Sequence, residues 1–162
     1  MARVYLETSF FSACVWNRTD PRSLAAKSES RRWWVQQRMH YDLCISSEVL
    51  RELSDITFHN RMDALQLTVD CVVLDLTNDV RGLAKLLVRE KVMPGPENAG
   101  DAVHVAAAIA HRCDFLLTWN VKHLANPNKV AHLRTVCRRA GYAVPELVTP
   151  DFLWNLEEEE EP

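Results

Sequence analysis

Gly100-Asp101-Ala102-Val103-His104-Val105-Ala106-Ala107-Ala108-Ile109-Ala110-His111-Arg112-Cys113-Asp114-Phe115-Leu116-Leu117-Thr118-Trp119-Asn120 decides the fold class of this 162-residue chain. From Asp101 to Ala110 the run is almost wholly apolar and rich in alanine, long enough for about three helical turns. Asp101, His104 and His111 break the pattern, and their spacing puts all three on one helix face. Phe115 to Leu117 then forms a short apolar strand that ends in Thr118-Trp119-Asn120. A buried helix that starts on a carboxylate and feeds a buried strand with a polar end is how open α/β sheets build sites at their strand ends.

The same grammar recurs on either side. Val4 to Leu6 reads as a strand ending at Glu7, with Thr8 or Ser9 capping a helix from Phe10 to Val15. A longer helix is expected from about Pro21 to His40, carrying Leu24, Trp33, Trp34 and Val35 beside Arg31, Arg32 and Arg38. Leu43 to Ile45 is a second strand, followed by a helix capped by Ser46 or Ser47 and running through Leu53. Asp55 to Asp70 reads as a further helix with Met62, Leu65 and Leu67 inward, and Cys71 to Leu74 as a third strand. Thr77 caps a helix to about Lys91, which Pro94-Gly95-Pro96 breaks. Beyond Asn120 come a helix from about Asn128 to Ala140 stopped by Gly141, a fifth strand at Leu147-Val148, and a helical turn over Pro150 to Leu156. Short apolar strands alternating with helices predict an α/β domain, a parallel sheet of four to five short strands flanked by helices on both faces. We expect one domain over residues 1–156 and an acidic, disordered tail over 157–162.

Composition fits an ordinary soluble protein, 48% hydrophobic and 25% charged. No apolar run approaches the ~18 residues of a membrane span. The first residues enter a strand without signal-peptide architecture, so a cytoplasmic protein with no membrane contact is expected. Cys14, Cys44, Cys71, Cys113 and Cys137 are odd in number and widely spaced, which reads as buried free thiols. The net charge is -3, but Glu157 to Glu161 supply -5 of it and leave +2 for the rest. Between Arg112 and Arg139 lie Lys122, Lys129, Arg134 and Arg138 with Asp114 as the single acid. That run reads either as a solvated helix face or as the footprint of a polyanion.

Glu7 at the end of the first strand, Glu52 early in the helix after the second, Asp101 opening the buried helix and Asn120 ending the fourth strand all fall where a parallel sheet opens. Carboxylates brought together there repel unless neutralised, and a hard divalent cation such as Mg²⁺ (or Mn²⁺) does this with oxygen ligands. Such a centre suits phosphodiester hydrolysis, because the ion polarises phosphoryl oxygens and lowers the pKa of bound water. Each residue also has a plainer reading. Glu7 could be a loop acid, Glu52 a surface helix residue, Asp101 an N-cap, Asn120 a turn former and His104 a satisfied core histidine. Glu48 takes the helix N-terminal charge role.

At these residues the chain resembles the PIN-domain family, in particular the VapC-like toxins of type II toxin–antitoxin pairs. Val4-Tyr5-Leu6-Glu7-Thr8-Ser9 looks like the family's opening strand, and Ser46 to Leu53 like its second motif with Glu52 as the acid. Gly100 to Ala108 is similar to its Asp-Ala-x-His helix. Leu116 to Asn120 resembles its last strand, followed by the Lys-His-Leu-Ala-Asn variant at 122–126. The match spans about residues 3–153. The resemblance implies a Mg²⁺- or Mn²⁺-dependent endoribonuclease in a single PIN-like domain, acting on RNA, with a cognate antitoxin partner and a homodimer. It implies Glu7, Glu52 and Asp101 as metal ligands, with Asn120 as the fourth catalytic position. Ser9, Thr118 and His104 would support the acids. Lys122, Lys129, Arg134, Arg138 and Arg139 are the expected RNA-binding surface.

Two departures stand out. Glu7 replaces the commoner Asp, and Asn120 replaces an acid, so one firmly held ion and a second arriving with substrate are expected. A catalytically weak PIN-like module that binds RNA or a partner is the other reading. An unrelated nucleotide-binding α/β protein finds no support, as only four glycines are present and no phosphate-loop pattern occurs.

Overall fold

The computed structural model describes residues 1–55 and 57–156. Five parallel strands form its sheet: β1 (Ala2–Leu6), β2 (Tyr41–Ser46), β3 (Val72–Leu74), β4 (Phe115–Leu117) and β5 (Glu146–Val148). Their spatial order is β3-β2-β1-β4-β5. Seven α-helices accompany them among the described residues: α1 (Thr8–Val15), α2 (Pro21–Gln36), α3 (Ser47–Leu53), α4 (Arg61–Leu67), α5 (Asn78–Arg89), α6 (Asp101–Ala110) and α7 (Pro127–Arg139). None of these is long and apolar enough to cross a membrane.

The chain builds outward from β1 to β2 and β3, then returns to the other side of β1 for β4 and β5. Right-handed crossovers therefore send α1–α4 and α5–α7 to opposite faces. The helix contacts agree: α1 packs on α2, α3 and α4, while α5 packs on α6. Strand order reverses between β1 and β4, and a crevice at their carboxyl ends is the topological consequence. Glu7 and Thr118 leave the sheet at that crevice, their amides still bonded to the Leu117 and Val148 carbonyls at 3.0 Å each.

Burial follows strand position. Val4, Tyr5, Leu6, Leu116 and Leu117 are wholly buried, whereas Val72 and Val73 on the edge strand are 60% and 49% exposed. Ala106, Ala107 and Ala108 let α6 lie close to its neighbours, and each is fully buried. Trp33 belongs to the core: its indole N–H donates to the Leu153 carbonyl at 2.7 Å, and its ring stacks on Tyr41 at 5.7 Å. All five cysteines are free and buried.

The sequence expectations need four corrections. Glu7 itself caps α1, its carboxylate accepting from the Ser9 amide, so the helix begins at Thr8 rather than Phe10. The long helix stops at Gln36 and ends in a 3-10 turn over Arg38–His40, leaving Val35 exposed. The expected helix over 55–70 shrinks to α4 because Asp55 accepts from the amide and hydroxyl of Thr57, a local turn that competes with helical bonds. Met62, expected inward, is 71% exposed. The tail over 157–162 lies outside the described residues.

Candidate active site

Glu7 sits at the end of β1 and is buried, yet its carboxylate is well supplied with donors. Oε2 accepts from the Ser9 amide at 3.1 Å, from the Ser9 hydroxyl, and from the Thr118 hydroxyl at 2.8 Å. Each hydroxyl in turn accepts a backbone N–H from the loop after β4: Ser9 Oγ from Trp119 and Thr118 Oγ1 from Asn120, at 2.8 and 2.9 Å. Strand end, helix cap and loop are thus locked together through one carboxylate oxygen. All three bonds fall on Oε2, so a ligand approaching Oε1 need not break them.

Glu52, on α3, meets the same centre from the other side. Its Oε1 accepts from the Thr8 hydroxyl at 2.8 Å and hydrogen-bonds His104 Nε2. His104 is fully buried on α6, and its Nδ1 pairs with the Tyr5 hydroxyl at 2.7 Å, which reaches Ser46 Oγ at 2.8 Å. Burial raises the Tyr5 pKa well above its ordinary value. Burial disfavours the His104 imidazolium, but its bond to Glu52 and the charges of Glu7, Glu52 and Glu48 outweigh that and raise its pKa. Burial pushes the Glu52 carboxyl up, and its bond to His104, the His104 charge and the Thr8 hydroxyl pull it below the usual range.

Asp101 is the first residue of α6, and Gly100 is the cap at φ 68° and ψ -144°, a conformation open to glycine. The Gly100 amide is held by Glu48 Oε1 at 3.0 Å, and Glu48 is also paired with Arg51. Glu48 is therefore a buried clamp on the start of α6 and does more than charge the end of α3. Asn120 Nδ2 reaches Asp101 Oδ2 at 3.4 Å, while its Oδ1 accepts from the His123 amide at 3.1 Å. Burial raises the Asp101 pKa against the pull of His104 and His123, and Glu52 adds to the rise.

Glu7, Glu52 and His104 each offer one ligand atom within 4.8 Å of the others. The closest set thus contains His104 in place of Asp101, which stands beside it, coupled by charge to Glu52 and His104. Two carboxylates at this spacing suit a hard divalent cation, so the residues fit the expected ion.

No family profile matches the sequence, and no curated protein matches it either. Solved structures do match. VapC20 of Mycobacterium tuberculosis, a toxin that cleaves the sarcin–ricin loop, aligns with a TM-score of 0.55 at 19% identity, over 74% of this chain and 92% of its own. The chain has the PIN-domain fold of VapC toxins. A chain of VapBC2 from Rickettsia felis, bound to a promoter DNA fragment, aligns at 0.52 and 17% identity over 94% of this chain and 98% of its own. A chain of DNA-bound VapBC from Salmonella typhimurium aligns at 0.53 and 15% identity over 93% and 99%.

Within this PIN fold the basic run divides. α7 carries the chain from the carboxyl end of β4 back to the start of β5, where the Glu146 amide bonds the Asp114 carbonyl at 3.0 Å. Lys122 and Lys129 therefore lie toward the cleft end. Arg138 and Arg139 close the helix about 15 Å further along its axis, with Arg134 between. Sequence reasoning missed Tyr5, Thr8 and Glu48 as members of the site network. Tyr5 was hidden inside an apolar strand, and a polar tip on a buried aromatic ring was its one signal.

Proposed function

We propose that this chain is a metal-dependent endoribonuclease, the cytoplasmic toxin of a toxin–antitoxin pair, with its nuclease domain over residues 1–156. The observation that carries this reading is the convergence of Glu7, Glu52 and His104, from three separate elements of a domain with the PIN fold, with Asp101 coupled by charge to Glu52 and His104. Glu7 and Glu52 would hold Mg²⁺ or Mn²⁺, with Asp101 and His104 beside them. When bound, such an ion supplies countercharge to a phosphodiester and lowers the pKa of water.

The chain's own residues do the positioning. Ser9 and Thr118 fix the Glu7 carboxylate through one oxygen, and Thr8 and His104 fix Glu52. Half-buried Asp101, its pKa raised, would exchange a proton with water or a leaving oxygen. Asn120 brings a neutral amide to the fourth position, with Nδ2 toward Asp101 and Oδ1 taken by the His123 amide, and this lack of a fourth charge supports one firmly held ion and a second that comes with substrate. Lys122 and Lys129 would track the RNA backbone near the cut, giving salt-dependent binding, with Arg134, Arg138 and Arg139 as a more distant extension. A cognate antitoxin, supported by neighbours solved as VapBC assemblies, completes the reading, and a homodimer is proposed with it.

The neutral Asn120 favours one rival, a weakly catalytic module that binds RNA or a partner. Purified protein with single-stranded RNA decides between them. Cleavage with Mg²⁺ or Mn²⁺ that stops in chelator and returns on adding the metal back is the expected result. Binding without cleavage at any metal concentration selects the rival.

A further inference from the structure

The cleft at the acids is far larger than a cation needs, enclosing about 770 Å³. It runs from Glu7 and Glu52 to a wall formed by Trp16 and Arg18. Trp16 is half-buried and its position is fixed. Its indole N–H donates to the Ser23 carbonyl at 2.9 Å, its amide to the Ser12 carbonyl at 3.0 Å, and Lys27 Nζ donates to its carbonyl at 3.0 Å. The ring does not serve the hydrophobic core, which takes in Trp33 and Trp34 and leaves Trp16 out. The exposed Arg18 guanidinium lies 4.6 Å from the ring centroid. A held indole stacked with a guanidinium is a flat, cationic face at the rim of a cleft whose inner end is anionic.

We infer that the Trp16–Arg18 wall is a nucleobase subsite, taking the base of a nucleotide that flanks the phosphate held at the acids. The inference rests on the ribonuclease reading and gives its substrate class as unpaired RNA. A splayed base offers a π-face to an indole or a guanidinium, whereas a duplex keeps its bases stacked on one another. Arg18 adds positive charge where the acids would otherwise repel the backbone. Phe58 and Trp119 also line the cleft and give neighbouring bases apolar surface.

The test is the Kd of a fluorescein-labelled single-stranded oligoribonucleotide, intact and with an abasic residue at each position in turn, against the full chain and its Trp16→Leu, Trp16→Phe and Arg18→Ala variants. Trp16→Leu should raise Kd roughly five- to a hundredfold. Trp16→Phe should restore most of the loss, and Mn²⁺ affinity should be unchanged in both. One abasic position should weaken binding to wild type and not to Trp16→Leu. The inference is overturned if Trp16→Leu binds RNA like wild type, or if it loses Mn²⁺ affinity in parallel. If Trp16→Leu does not fold, the wild-type abasic scan and the exposed Arg18→Ala decide, and a flat scan with unchanged Arg18→Ala binding overturns it. RNA binding that depends on Trp16 without any cleavage removes the nuclease reading and keeps the subsite. Metal-dependent cleavage that is indifferent to Trp16 does the reverse.

Discussion

Thr118→Val isolates the lock on Glu7 better than any change to the acid itself. The side chain is fully buried, and valine has nearly the same shape, so no cavity forms. What goes is a hydroxyl that donates to Glu7 at 2.8 Å and accepts from the Asn120 amide at 2.9 Å. A hydrogen bond to a charged acceptor contributes about 1.5–3 kcal/mol, and an unpaired buried N–H costs about 1–3 kcal/mol. Both terms are discounted here, because Ser9 still supplies two donors to Glu7 and water reaches the partly exposed Asn120. The expected loss is about 2 kcal/mol, up to about thirtyfold in the folding equilibrium. Urea unfolding in chelator reads it directly. Calorimetric titration should show Mn²⁺ binding weakened by about 10- to 100-fold, since the ligand loses its orienting partner. Thr118→Ser keeps the hydroxyl and should keep the affinity. A valine variant within ~0.5 kcal/mol of wild type, with unchanged Mn²⁺ affinity, would refute the idea that this hydroxyl holds Glu7.

Other expectations follow from the same network. In chelator, the Glu52–His104 pair should stabilise the fold most between their ordinary pKa values of 4.5 and 6.5. Glu52 is held below its value, so its contribution is present above pH 4.5 and fades as pH falls through the depressed pKa. His104 is raised, so its contribution is present below pH 6.5 and fades as pH climbs through the raised pKa. A urea midpoint that does not change across either limb counts against the pairing. Gly100→Ala meets no neighbouring atom but must hold φ 68°, and should cost about 1–3 kcal/mol and lower cleavage by displacing Asp101; an alanine variant as stable as wild type contradicts this. Tyr5→Phe strips the hydroxyl shared by Ser46 and His104 and should cost about 1–3 kcal/mol, with an altered His104 titration by NMR; an unchanged titration removes Tyr5 from the network.

The segment from Asp101 to Leu117 was legible because one residue pattern served both local propensity and burial, and α6 and β4 fall where the pattern put them. Gly141 was legible for the same reason: its φ of 84° is the helix stop that glycine provides. Where side chains compete with the backbone, the reading slipped. Glu7 took the cap from Thr8 and Ser9, and Asp55 turned the chain where hydrophobic spacing suggested helix. Glu7 at the end of a strand, Glu52 on the helix after the second strand and Asp101 at the start of the buried helix could be placed from order alone. Their partners could not, because the contacts of Tyr5 with His104 and of Glu48 with Gly100 join residues 99 and 52 positions apart. The cleft wall at Trp16 was equally hidden, since an aromatic residue after a helix reads as core until the packing is seen.

Cleavage through a divalent cation requires Glu52 and Asp101 to act with Glu7 on RNA. The direct measurement is cleavage of single-stranded RNA in Mn²⁺ by wild type and by the double variant Glu52→Gln, Asp101→Asn, with circular dichroism on both. Native spectra in each case and cleavage by wild type alone are the expected result. Undiminished cleavage by the folded double variant would contradict it.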